Sequence, residues 1–136
     1  MKTRQLGVML LAVCVFIWPS SFAQKPDFSE TDPKYDISKE ATFKGVVGEI
    51  EDRICPMGGD MRFHLMLRMG NETYEVHVAP VNFVKIYKAT FRKGDPVEII
   101  GVRTQIRGAV AIVPRKIKLS GSTLFFRDEK GEPIWQ

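Results

Sequence analysis

The chain is poor in the residues that build most reactive sites. It has two cysteines and two histidines in 136 residues. Cys14 lies in the N-terminal apolar run, so Cys55 is the single cysteine of everything downstream. One thiol cannot form an internal disulfide framework. The chain has no Cys-x-x-Cys, no His-Glu-x-x-His, no Gly-x-Ser-x-Gly elbow and no phosphate-cradling glycine loop. Gly58-Gly59 alone reads as a turn. These absences argue against an enzyme. Long apolar runs are also missing. The longest, residues 6–18, falls short of the ~20 residues that span a bilayer. A strong excess of one charge is missing too. The formal net charge is +4, and without Lys2 and Arg4 the basic count falls from 20 to 18 against 16 acidic residues, or +2. That balance does not suit a protein dedicated to nucleic acid.

What is present begins with an address. Lys2 and Arg4 precede the apolar residues 6–18, and Ser21-Phe22-Ala23 places small residues where a signal peptidase cuts. The expectation is a signal peptide over residues 1–23 and a periplasmic or secreted mature chain starting at Gln24. Val13 before Cys14 argues against a lipoprotein signal, and no apolar segment follows to act as an anchor. Residues 24–40 are polar with two prolines and read as an N-terminal arm. Residues 41–136 read as one domain.

Within that domain the best-defined piece is a hairpin. Arg62-Phe63-His64-Leu65-Met66-Leu67-Arg68 and Thr73-Tyr74-Glu75-Val76-His77-Val78 alternate around Gly70-Asn71, which suits a type II′ turn. Such a turn pairs residue 69 with 72 and therefore His64 with His77. Phe63, Leu65 and Leu67 then share a face with Val78, Val76 and Tyr74. His64, Met66 and Arg68 share the opposite, solvent-facing side with His77, Glu75 and Thr73. Upstream, residues 42–54 form a long strand pattern whose Gly45 and Gly48 mark a bend or bulge. Downstream, Pro80 can open a helix whose apolar positions run to Phe91, with Gly94 as its stop. Strands follow at residues 97–105, 109–119 and 123–127, the second interrupted by Pro114, which points to a kink or a sheet edge. Phe125, Phe126 and Trp135 read as a C-terminal clasp.

The order is three strands, one helix, then two strands and a short last one. It predicts an all-β domain with one helix: an OB-fold-like five-stranded Greek-key barrel with a short C-terminal strand or clasp. A split β-sandwich is the alternative. The chain also resembles a set of small exported bacterial OB-fold proteins, often described as DNA- or nucleic-acid-binding. The matching pieces are Tyr35-Asp36 with Glu40, Phe63-His64-Leu65, Val76-His77-Val78-Ala79-Pro80, Lys93-Gly94-Asp95-Pro96-Val97-Glu98, Phe126-Arg127-Asp128, Gly131, Pro133 and Trp135. Two pieces depart from that group: Val78-Ala79-Pro80 where Leu-Gly-Pro is expected, and the loop Cys55-Pro56-Met57. The resemblance implies a fold and an export route, and no activity.

OB-folds bind ligands on the strand-two and strand-three face and on the loops beside it. Here that surface holds Arg62, His64, Met66, Arg68, Glu75 and His77, with Arg107 from the loop after strand four. The expected function is therefore an exported, non-enzymatic binding module for an envelope protein or a small envelope ligand. The alternative is a metal protein. Two imidazoles directly opposed on one sheet face can share an ion, and Cys55, Met57 or Met61 can add a soft ligand. Imidazole with thiolate suits copper or zinc, so the candidate metal residues are His64, His77 and Cys55. A nucleic-acid reading comes third. Its cations Arg62, Arg68 and Arg107 are there, but the hairpin aromatics Phe63 and Tyr74 alternate toward the core.

Overall fold

The computed structural model describes residues 34–55, 59–86 and 91–135. The signal read at residues 1–23, the first ten residues of the arm and Met57 lie outside the described residues. The strands are β1 (Glu40–Ile54), β2 (Met61–Met69), β3 (Glu72–Pro80), β4 (Pro96–Ile106), β5 (Ala109–Leu119) and β6 (Ser122–Phe125), with helix α1 (Val81–Ile86) between β3 and β4. Neighbouring strands run in the order β3-β2-β1-β4-β5-β6, and a parallel contact of Glu75 and Val76 with Ala111 and Ile112 joins β3 to β5. That contact closes β1-β2-β3-β5-β4 into a five-stranded, OB-fold-like barrel, with β6 added to β5.

The first strand serves both halves of the barrel because it bends. Residues 40–46 of β1 pair with β4, and residues 46–54 pair with β2. The β1–β2 register slips by one residue between Val47 and Ile50, which places the expected bulge at Gly48 and Glu49. Gly45 answers a different need: a Cβ there would lie 2.3 Å from the Arg68 carbonyl oxygen. The same logic explains Gly101, which faces Pro114 across β4 and β5, where a Cβ would lie 2.4 Å from the Val113 carbonyl oxygen. Pro114 therefore marks a bulge and not an edge, since β5 is flanked by β4, β6 and β3. The carbonyl oxygen of Arg115, freed by that bulge, accepts from the backbone N–H groups of Phe126 (2.8 Å) and Arg127 (3.2 Å).

The β2–β3 hairpin has the expected register from the turn to the histidines, Met69 against Glu72 and His64 against His77. Gly70 adopts φ +61° and Asn71 keeps a negative φ, as a type II′ turn needs. Beyond the histidines the register shifts. Val78 is an extra residue, so Phe63 pairs with Ala79 and not with Val78. Of the predicted helix, α1 is described over Val81–Ile86, and Ile86 is exposed although its spacing placed it with the apolar side. Phe91 is buried but not helical, its ring 5.2 Å from that of Phe63. Gly94 does not stop a helix. It sits in a turn at φ +94°, its N–H donates to the Val47 carbonyl oxygen (2.7 Å), and Val47 N–H donates to that of Asp95 (2.9 Å). The bulge of β1 thus finds its partners in this turn.

Two apolar clusters result. The large one fills the barrel with Val47, Leu65, Leu67, Val76, Ile99, Ile112 and their neighbours. Phe126 and the half-buried Trp135 close its end with Phe83, at ring distances of 6.3 and 5.8 Å, whereas Phe125 turns outward. The smaller cluster comprises Tyr35, Cys55, Val102, Ile106, Ala111 and Val113. Ala111 and Val113 flank the core residue Ile112 on the same strand, so this cluster covers the opposite face of the sheet. Part of the polar arm docks there: Tyr35 is buried, and Glu40 accepts three charge-assisted hydrogen bonds from Arg115 (2.6, 3.0 and 3.0 Å).

Candidate metal centre

The second cluster changes the character of the hairpin's outer face. Alternation predicts that His64 and His77 are solvent-facing. They are 2 % and 4 % exposed, and Arg62 is 6 % exposed. The reason lies outside the hairpin. Cys55, the first residue past β1, is turned back by a tight loop in which its N–H donates to the Asp60 carbonyl oxygen and its own carbonyl oxygen accepts from Gly59, both at 2.9 Å. That loop lays the Cys55 side chain, itself fully buried, over His77.

Three donor atoms converge. Cys55 Sγ lies 3.3 Å from His77 Nδ1, and His64 Nε2 lies 3.1 Å from the same nitrogen. One donor atom from each of the three residues falls within 4.8 Å of the others. Around one ion with ordinary metal–nitrogen and metal–sulfur bonds, donors sit about 3.3–3.6 Å apart. The cluster is within a few tenths of an ångström of that spacing along the two edges measured.

The outer nitrogens of the two rings each face an oxygen. His64 Nδ1 lies 3.1 Å from the Arg62 carbonyl oxygen, and His77 Nε2 lies 3.4 Å from Glu75 Oε1, which accepts no hydrogen bond from it. A carbonyl can only accept, so His64 donates from Nδ1 and turns a lone pair on Nε2 inward. Metal-bound histidines use this same support, a carbonyl or carboxylate on the far nitrogen.

Burial, with Arg53 next, brings His64 down to about 4, and burial, with His64 next, brings His77 down to about 3. The rings are neutral at ordinary pH, the state that ligates metal.

Two ion pairs border the cluster. Arg53 of β1 binds Glu75, and Arg62 Nε donates to Asp60 Oδ1 at 2.8 Å. Arg53 and Arg62 are cross-strand partners, so each like charge is met by its own carboxylate. The Arg62 guanidinium also lies 5.8 Å from the Trp135 ring centroid, which ties the site to the C-terminal clasp.

Of the residues singled out in the sequence, the structure brings together Cys55, His64, His77, Glu75 and Arg62. Met66 pairs with Glu75 and is half-buried. Arg68 is exposed four residues along β2 from His64, about 13 Å away. Arg107 is exposed in the β4–β5 turn at φ +50°, and Met61 is 51 % exposed at the start of β2. Sequence reasoning missed Arg53. The signal for Arg53 was its place two residues before Cys55 on a strand that must pair with Arg62.

No curated protein sequence matches the chain. Two crystal forms of a mitochondrial single-stranded DNA-binding protein from S. cerevisiae are similar in structure. One is 17% identical with a TM-score of 0.46, over 60% of this chain and 93% of that one. The other is 16% identical with a TM-score of 0.41, over 63% and 93%. The model of the MamS/MamX magnetosome protein family matches residues 39–124, a stretch that holds Cys55, His64 and His77 and runs from the start of β1 into β6, and the chain belongs to that family.

Proposed function

We propose that this protein is an exported, non-enzymatic OB-fold binding module of the MamS/MamX family whose ligand is a copper or zinc ion held by Cys55, His64 and His77. The observation that carries the reading is the convergence of one donor atom each from the buried Cys55, His64 and His77, all within 4.8 Å of one another. Soft thiolate and borderline imidazole are the donors these metals favour. An ion also suits the burial of the site: a macromolecule cannot reach His64 and His77 as they stand, whereas an ion needs only the space between their nitrogens. Export rests on the charged start, short apolar run and small-residue cleavage site of residues 1–23. Among the described residues no helix is long and apolar enough to cross a membrane. The family's name ties its members to the magnetosome, and the metal site is proposed to serve there.

Calorimetric titration of the purified protein with copper and with zinc, under reducing conditions, tests the reading. One equivalent should bind, and Cys55→Ser should weaken it by about tenfold to a hundredfold or more, as loss of one of three ligands implies. Binding that is absent, or unchanged in Cys55→Ser, contradicts it.

A further inference from the structure

We infer that the far end of β1 is a self-association edge, to which a second copy of this chain adds its own β1 antiparallel about a two-fold axis at Asp52. β1 leaves its β4 partner at Val46, while its pairing with β2 runs on to Ile54. Val47 still exchanges backbone hydrogen bonds with Gly94 and Asp95. Beyond the bulge, residues 49–54 are six strand residues in a row that are all exposed. Among the described residues no strand pairs with their outer edge.

The hairpin fixes which backbone groups that edge presents. A two-residue turn makes Met69 and Glu72 a hydrogen-bonded pair, so Leu67 and Leu65 also turn their N–H and C=O toward β3. Ile50, opposite Leu65, therefore turns its own away from β2, and so do Asp52 and Ile54 on the regular stretch that follows. Such a row is a template for another strand. A two-fold axis at Asp52 sets Ile50 against the partner's Ile54 and Asp52 against the partner's Asp52. Each of the three resulting pairs exchanges two hydrogen bonds, about six in all. Glu51 then meets the partner's Arg53, and Arg53 the partner's Glu51, which repeats across the edge an attraction that already runs along the strand at 3.9 Å. The isoleucines, 36 % and 52 % exposed, cover one another. An axis at Glu51 or at Arg53 keeps the backbone pattern but sets glutamate on glutamate or arginine on arginine and parts the isoleucines. At Asp52 the one like pair is Asp52 with itself, and Lys85 of α1 lines a cavity with that residue and Ile50.

Sedimentation of the purified protein under reducing conditions, with site-directed crosslinking, tests this independently of any metal. The unaltered protein should form a reversible dimer at micromolar concentrations. Asp52→Pro removes an N–H that β2 does not use, so it should keep the fold by circular dichroism and weaken the dimer by about tenfold or more. Ile54→Lys, at an exposed position, should weaken it as well and serves if the proline variant does not fold. Asp52→Cys should give a disulfide-linked dimer on mild oxidation, since the two α-carbons would stand about 5.5 Å apart. Ile50→Cys should not, because its two copies would be about 13 Å apart. Cys55 is buried, and the unaltered protein is the control for it. A monomer at all concentrations, a dimer unchanged in the folded edge variants, or a dimer that Asp52→Cys fails to crosslink overturns the inference.

Discussion

Around His64 and His77 the two faces of the β2–β3 hairpin are both buried, and they are buried in opposite ways. On the inner face Leu65, Leu67 and Val76 are wholly enclosed by apolar neighbours and require nothing further of their surroundings. On the outer face His64, His77 and Arg62 are almost as enclosed, beneath Cys55. Burial of an apolar side chain contributes about 1.5–3 kcal/mol. Burial of a polar group costs unless every donor and acceptor is matched. The inner face is therefore complete as it stands, while the outer face gathers three donor atoms at one point. A metal ion is the ligand proposed for them.

The largest effect should come from placing charge on each side of this divide. Leu65→Asp or Val76→Asp puts an unpaired carboxylate in the barrel and should unfold the domain, since the cost of several kcal/mol rivals the ~5–15 kcal/mol stability of a whole domain. Met66→Asp, on the half-buried outer side, should keep the fold. Circular dichroism and thermal melts of the three variants read the difference, and equal tolerance at all three positions would erase it.

A second change converts the outer face into a copy of the inner one. The double variant His64→Leu, His77→Leu removes two buried polar partners together, which leaves stability nearly unchanged, but it should abolish metal binding. It should also remove a pH dependence. In metal-free protein both imidazoles sit well below their ordinary 6.5, at about 4 and about 3. The unfolded chain therefore binds protons first as pH falls. The stability that the neutral rings contribute is complete above about pH 6.5 and is lost on the way down to about pH 3, by on the order of several kcal/mol. Denaturant melts of both proteins across that window should show a steep acid loss in the unaltered chain and a shallower one in the double variant.

The smallest effect concerns the basic side. Residues 85–118 carry nine lysines and arginines against Asp95 and Glu98. Several are already matched: Arg115 with Glu40, Lys118 with Glu98 and Lys93 with Glu49. Any binding to single-stranded DNA should accordingly be micromolar or weaker, indifferent to sequence, and should fall with salt at a slope of about −0.7 per neutralised phosphate. Fluorescence anisotropy at two salt concentrations checks this. Nanomolar or sequence-selective binding would move the ligand face from the buried cluster to the surface.

How far the sequence speaks for itself follows the same divide. Alternation and turn chemistry are local, so they predict the pairing of His64 with His77, the Gly70-Asn71 turn, the bounds of β5 and the bend in β1. They also predict one buried face and one wet face, because a hairpin alone has no other option. The outer face is dry because of distant segments: Tyr35 docks from the arm, Cys55 folds back from the β1–β2 loop, and β5 closes on β3. Those are contacts between residues far apart in the chain, which no short-range pattern encodes. The Val78 bulge has the same origin, since it adjusts a local segment to barrel closure. The candidate metal residues could be gathered from composition, two histidines and one cysteine on one face, but their burial could not.

The central claim is that the outer cluster holds a metal through Cys55, His64 and His77. X-ray absorption at the metal edge of the copper-loaded protein tests it most directly. One sulfur and two nitrogen ligands per ion, with the sulfur lost in Cys55→Ser, is the result expected. A shell of oxygen and nitrogen alone, unaltered by Cys55→Ser, would contradict it.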